Sequence, residues 1–195
     1  MDNCWSQKMN TRILAISIAL AAVTVVLNPR FSGIAIPFVP PLWFQIWEIP
    51  VVAALFLVGF KPAVGIALLN ALILQAVSPG VSFNQPIANL VAILSTLIAV
   101  YLAHRLITRK TLEEVSFPER KLIISSTTLG IVLRLAIMLP YTYIQATLLV
   151  QSNMLAIFPL VGVYDAIVVL YTVPLGYLVA KMVNKNLKLP TKYAL

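Results

Sequence analysis

The chain has little of what catalysis or metal binding requires. Among 195 residues there is one cysteine, Cys4, and one histidine, His104. An internal disulfide and a thiolate metal cluster are therefore excluded. No phosphate loop, nucleophile elbow or paired-histidine zinc helix occurs in the sequence. We predict no catalytic residues, no metal, no cofactor and no enzymatic activity. If the protein takes part in active transport, the energy must come from a partner or an ion gradient.

Charged residues are scarce as well. They make up 10% of the chain and hydrophobic residues 61%, whereas soluble domains have about 25% and about 45–50%. A soluble domain of this size has too little interior to hide so much apolar surface. The net charge of +8 lies on no basic stripe with interleaved aromatics, so we predict no nucleic-acid partner. The excess positive charge is typical of membrane topology and of attraction to anionic lipid headgroups.

Long apolar runs are what the sequence has in abundance. A bilayer crossing needs about 20 residues, and we predict six spans at 11–27, 43–60, 62–78, 87–103, 122–148 and 155–180. Every lysine and arginine except Arg30 and Arg134 then falls on one face of the membrane, as the positive-inside rule requires. The sequence thus predicts an all-α integral protein of the cell membrane. Residues 1–195 would form a single transmembrane domain with both termini cytoplasmic.

The segment between the first two spans differs from the other connections. Residues 28–47 contain four prolines, which forbid a continuous helix, and five aromatic residues, including Trp43 and Trp47. One interpretation is an ordered outer loop that its aromatics anchor at the membrane interface. The other is a lid over a site open to the outside, since long structured loops are often functional. Neither excludes the other.

Two intramembrane charges are not required by topology. Arg134 lies midway along the fifth span and Asp165 at a similar depth in the sixth. Such charges are costly unless they are paired or reach water. A salt bridge that ties the two spans together and a substrate cavity are both compatible with this placement. Pro140, beyond Arg134, is expected to kink the fifth helix or to end its regular part.

Polar and aromatic residues at helical spacing favour the cavity. Arg134, Tyr141 and Gln145 form one stripe of the fifth span, and Asn89 and Thr96 share a face of the fourth. Glu48 opens the second span at the predicted outer surface, where it would either neutralise Arg30 or line the mouth of the cavity. The predicted substrate-binding residues are Trp43, Trp47, Glu48, Asn89, Thr96, Arg134, Tyr141, Gln145, Tyr164 and Asp165.

The first span carries small residues at a spacing of four. Ala15 and Ala19 would allow another helix to approach closely, and this helix is either a neighbour within the bundle or a partner protein.

These features together resemble the substrate-binding S components of energy-coupling factor (ECF) transporters. The resemblance rests on the Ala15–Ala19 pair, the long aromatic loop after it, Glu48-Ile49-Pro50 leading to the Gly59–Pro62 turn, and the region from Phe158 to Asp165. S components often have asparagine where this chain has Asp165, which leaves the kind of substrate open.

The resemblance implies a high-affinity binding subunit for a vitamin or a related micronutrient. Its partners would be a transmembrane T subunit, which Ala15 and Ala19 would contact, and two ATPase subunits that supply the energy. The substrate would lie toward the outer leaflet between spans four to six, under the loop. Two other classes compete with this interpretation. One is a non-catalytic membrane scaffold of the rod-shape type, and the other is a stand-alone small-molecule carrier.

Overall fold

The computed structural model describes residues 11–32, 37–39, 42–77, 84–110, 119–148 and 152–187. Within these ranges the chain forms seven helices and one two-stranded ribbon. In chain order the elements are α1 (Thr11–Leu27), α2 (Pro29–Ser32), β1 (Pro37–Val39), β2 (Leu42–Trp43), α3 (Glu48–Val58), α4 (Phe60–Val77), α5 (Asn84–Lys110), α6 (Glu119–Leu148) and α7 (Ser152–Leu187).

Four of these helices, α4 to α7, are long and apolar enough to cross a membrane. Helices α1 and α3 are apolar but shorter, with 17 and 11 residues. The predicted class, a helical multi-pass membrane protein, is confirmed. Six spans, the cytoplasmic termini and a single domain over the whole chain stay predictions. The first ten residues and the tail from position 188, which carry part of the charge argument, lie outside the described residues.

Several helix boundaries differ from the predicted spans. Helix α3 begins at Glu48 and not near 43, because Leu42 and Trp43 pair with β1 and a turn follows at 46–47. Helix α5 continues to Lys110, since its two arginines and its lysine are good helix formers although they are not apolar. Helix α6 runs through the exposed Pro140, so of the two predicted outcomes an end of the helix is wrong and a kink stays a prediction. A proline removes one backbone donor, and transmembrane helices tolerate that loss.

Helix α3 is the centre of the bundle. Every residue from Pro50 to Val58 is buried, and α3 packs against α1, α4, α5 and α7. Its 11 residues rise about 16 Å at 1.5 Å per residue, roughly half the thickness of a bilayer core. A helix that is apolar all round belongs in a protein interior. The surrounding helices therefore carry the lipid-facing surface, with exposed side chains such as Leu72, Val132 and Leu170.

A single residue separates α3 from α4. Gly59 has φ 108°, a conformation that side chains other than glycine's rarely adopt. Its N–H donates to the carbonyls of Ala54 and Leu55, which closes the end of α3. The turn predicted over Gly59–Pro62 is thus confined to Gly59, and Pro62 lies in the first turn of α4, where proline is tolerated.

Helices α3 and α7 approach closely at Gly176. A β-carbon there would lie 2.7 Å from Val52 Cγ1 and 3.2 Å from the Ala53 nitrogen. We expect Gly176→Ala to destabilise the protein by about 1–3 kcal/mol, the usual cost of overpacking a core. Gly162→Ala is the matched control on the same helix, because its β-carbon would meet Leu139 at an ordinary 3.6 Å. Thermal unfolding in one detergent measures both variants. Equal losses would show that the α3–α7 contact does not constrain the fold.

Candidate functional site

Arg134 connects four helices in the middle of the bundle. It lies on α6, and its guanidinium contacts Glu48 on α3, Thr96 on α5 and Asp165 on α7. The Arg134 and Glu48 side chains are 1% and 0% exposed, and Asp165 is 3% exposed. Chain segments far apart in sequence therefore meet at one buried cation. We call Glu48, Thr96, Arg134 and Asp165 the Arg134 cluster.

The guanidinium is held by directed hydrogen bonds. Its Nη1 and Nη2 donate to Glu48 Oε2 and Oε1 at 2.7 and 3.0 Å, a bidentate pair. Its Nε donates to Asp165 Oδ1 at 2.8 Å, and Nη1 also reaches Thr96 Oγ1 at 3.3 Å. Charge-assisted bidentate bonds of this kind are the strongest that side chains form. The planar fork of arginine fits the arrangement, whereas the point charge of a lysine would not.

The predicted contact between Arg134 and Asp165 is confirmed. The placement of Glu48 at the outer surface is wrong, because Glu48 is fully buried and both of its oxygens accept bonds from Arg134. Neutralisation of Arg30 therefore does not account for Glu48. The late start of α3 is the physical reason. Residues 43–47, which the sequence suggested would be helical, instead carry the chain inward before the helix begins.

A layer of hydrogen bonds around Gln45 lies next to the Arg134 cluster. The Gln45 backbone N–H donates to the Tyr171 hydroxyl at 2.9 Å, and the Gln45 side chain bonds the Tyr164 hydroxyl. The indole N–H of Trp47 donates to Gln45 Oε1. The ring of Phe44 lies 5.9 Å from that of Tyr171. These contacts fix residues 44–47 to α7. The next residue, Glu48, is thereby placed within hydrogen-bond distance of Arg134.

Sequence reasoning missed the role of Gln45. A lone glutamine among aromatic loop residues has no periodic pattern, so no signal marked it. Trp47, predicted to contact substrate, is 1% exposed and packs in the core. The backbone of Trp43 lies in β2, and its side chain is outside the described part of the structure. The end of the loop is therefore anchored in the interior of the bundle, and the predicted anchoring at the membrane interface is wrong for Trp47. A lid role for the loop stays a prediction.

The other predicted residues lie toward the predicted outer ends of α5 and α6. Gln145 Nε2 donates to the Tyr141 hydroxyl at 2.7 Å, and both residues are half-buried. Asn89 is also half-buried and lies two helical turns from Thr96 on α5. Helix α5 packs on α6 and α6 on α7, and these uncharged polar groups lie on the same helices as Thr96 and Arg134, about two to three turns away along each helix.

An apolar groove of about 400 Å³ lies beside the Gln45 layer. It is lined by Phe44, Ile46, Ile49, Tyr171 and Leu175. None of these side chains is charged. No group of three or more histidine, cysteine, aspartate or glutamate residues that could hold a metal occurs in the described ranges.

Helix α1 is divided lengthwise into a packed and an unpacked face. Ile13, Ile16 and Leu20 pack against the core, and α1 contacts α3 and α4. Ala15 and Ala19 lie on the opposite, exposed face, which they share with large residues such as Ile18 and Val26. The small-residue pair is therefore accessible to a helix from outside this chain.

Comparison with known proteins gives one informative result. No family model and no curated protein matches the chain. The fold is similar to that of a solved structure, the S component of a bacterial ECF transporter, with a TM-score of 0.70. The two chains are 22% identical, and the match covers 93% of this chain and 100% of the other. The resemblance predicted from the sequence is confirmed at the level of the fold.

Proposed function

We propose that this chain is the membrane-embedded substrate-binding subunit of an ECF-type importer. The observation that carries the proposal is the fold, which matches an S component over 93% of the chain. Its substrate would be a vitamin or a related micronutrient, bound between α5, α6 and α7 next to the Arg134 cluster. A transmembrane T subunit and two ATPase subunits would supply the energy, because the sequence contains no nucleotide-binding motif.

Two features of the structure support this proposal over a scaffold of the rod-shape type or a stand-alone carrier. A scaffold has no need of a buried arginine with two carboxylates, which is costly to place in a bilayer. A carrier would act alone, whereas α1 presents an accessible small-residue face on which a partner helix fits. The proposed topology has six spans in the plasma membrane, with both termini cytoplasmic.

Substrate binding is tested by native mass spectrometry of the detergent-purified protein. We expect a small metabolite to remain bound, and the same compound to raise the thermal unfolding temperature when it is added back. A scaffold would carry no metabolite and would show no such stabilisation. That result, together with failure to capture a T subunit, would overturn the proposed function.

Partner binding is tested separately on α1. We expect Ala15→Trp and Ala19→Trp to abolish co-purification with a T subunit, because an indole prevents close helix approach. Both variants should keep their thermal stability and their metabolite, since neither alanine packs against the core. Ala136→Trp, at an exposed alanine of α6, is the matched control and should leave capture unchanged. Undiminished capture by the α1 variants would contradict the assignment of this face.

A further inference from the structure

The Arg134 cluster has a formal excess of one negative charge. It contains one guanidinium and two carboxylates, Glu48 and Asp165, and within the described residues both acids form ion pairs with Arg134 alone. Buried ions are stable only when they are paired and hydrogen-bonded. The excess negative charge can therefore be relieved in two ways, by a proton on one of the carboxyls or by a further positive group.

The missing interaction can be assigned to one atom. Asp165 Oδ2 is buried and has no hydrogen-bond partner among the described residues, whereas both oxygens of Glu48 accept from Arg134. Of the five N–H donors of a guanidinium, Arg134 uses four in hydrogen bonds. Three of these bonds go to Glu48 and Thr96, and one goes to Asp165, at Oδ1. The hydroxyls of Thr96 and Thr172 already use their one hydrogen, since Thr96 donates to the Ala92 carbonyl and Thr172 to the Val168 carbonyl.

We infer that Asp165 Oδ2 binds a positively charged N–H group of the substrate. This inference rests on the proposed function and narrows its substrate class to small organic cations, such as a protonated amine, an amidinium or a protonated ring nitrogen. An inorganic divalent ion fits less well. Such ions require several oxygen ligands, and only one carboxylate oxygen of the cluster is left without a partner.

The same geometry indicates where the rest of the substrate lies. Tyr141 is seven residues beyond Arg134 on α6, and Asn89 is seven residues before Thr96 on α5. Seven residues of helix rise about 10 Å. Both rows of uncharged polar groups thus begin about 10 Å outward of the cluster. A substrate with its cation on Asp165 and its neutral polar end near Tyr141 and Asn89 would span this distance.

The preference of the Asp165 site for a cation over a neutral compound can be measured without knowing the natural substrate. Asp2 and Asp165 are the two aspartates of the chain, so in the full-length Asp2→Asn protein a ¹³C label on aspartate carboxyls reports Asp165 alone. Methylguanidinium chloride and methylurea, a cation and a neutral compound of nearly the same shape, are titrated at constant ionic strength. We expect the Asp165 resonance to stay that of a carboxylate and to shift saturably with methylguanidinium but not with methylurea.

Asp165→Asn supplies the control for non-specific binding to protein or detergent. We expect methylguanidinium, at constant ionic strength, to raise the thermal unfolding temperature of the wild type, and we expect this rise to be at least tenfold smaller in Asp165→Asn. Equal responses of the Asp165 resonance to both probes would overturn the inference. So would a carboxyl that stays protonated in the presence of the cation, because a proton would then occupy Oδ2. The resonance measurement needs no change at Asp165, so it decides the question even if Asp165→Asn fails to fold.

This inference and the proposed function can fail independently. Capture by a T subunit together with a neutral co-purified metabolite would preserve the proposed function and overturn the cation site. Selective binding of methylguanidinium without a co-purified metabolite or T-subunit capture would support the site and overturn the proposed function.

Discussion

Replacement of Arg134 by methionine is expected to prevent the protein from folding to a stable state. The change would leave Glu48 and Asp165, two buried carboxylates, without their shared cation. Removing one partner of a buried ion pair costs about 3–5 kcal/mol, a large part of the roughly 5–15 kcal/mol that stabilises a typical protein. The yield of monodisperse protein and its thermal unfolding in detergent measure the effect.

Arg134→Lys is the conservative control for this variant. Lysine keeps the positive charge but has three donors on one nitrogen, so it cannot span both oxygens of Glu48 and also reach Asp165 in the same way. We expect a smaller loss than with methionine. If methionine and lysine are equally harmless, the charge at this position is not needed for stability.

Neutralising the whole cluster separates stability from binding. A triple variant, Glu48→Met with Arg134→Met and Asp165→Val, removes all three charges together. Replacing a complete buried ionic group with apolar residues is often neutral or stabilising, so the triple variant should regain the folding that Arg134→Met lost. It should not bind the co-purified metabolite. A triple variant that still binds would reduce the cluster to a structural connection between helices.

The sequence predicts the helices of this fold well because a bilayer imposes length and hydropathy on each span. The predicted C-terminal bound of α1 agrees with the structure, and the exclusion of a continuous helix from the loop before α3 is confirmed. The boundaries of α5 and α7 were predicted too short. Hydropathy marks only the lipid-buried part of a helix, and a helix can continue into charged residues beyond it.

The members of the site were harder to predict than the spans. The Arg134–Asp165 contact could be predicted because the two residues lie at a similar depth in adjacent helices. That depth can be counted from the ends of the predicted spans. The role of Glu48 did not follow, because its depth depends on five loop residues that carry no periodic signal. Hydrogen bonds between Gln45 and the hydroxyls of Tyr164 and Tyr171 fix that segment, and these tertiary contacts are not encoded in local spacing.

The two acids of the cluster are expected to differ in their contribution to stability. Glu48→Gln should be the more harmful change, because Glu48 accepts two hydrogen bonds from Arg134 and an amide offers one oxygen. Its NH₂ group would face the guanidinium, donor against donor. Loss of a hydrogen bond to a charged group costs about 1.5–3 kcal/mol. Thermal unfolding of Glu48→Gln beside the wild type measures this cost.

Asp165→Asn should be tolerated far better than Glu48→Gln. The amide oxygen can still accept from Arg134 Nε, and the bidentate pair with Glu48 stays intact. The cluster would then hold one cation and one anion, so we expect a loss below about 1 kcal/mol, the usual net value of one hydrogen bond. Glu119→Gln, which breaks the exposed ion pair with Lys181, is the control and should leave stability unchanged, as exposed pairs contribute little. If Asp165→Asn proved as harmful as Glu48→Gln, the Asp165 carboxylate would be needed for folding as well, and the resonance measurement alone would decide whether its second oxygen binds a ligand.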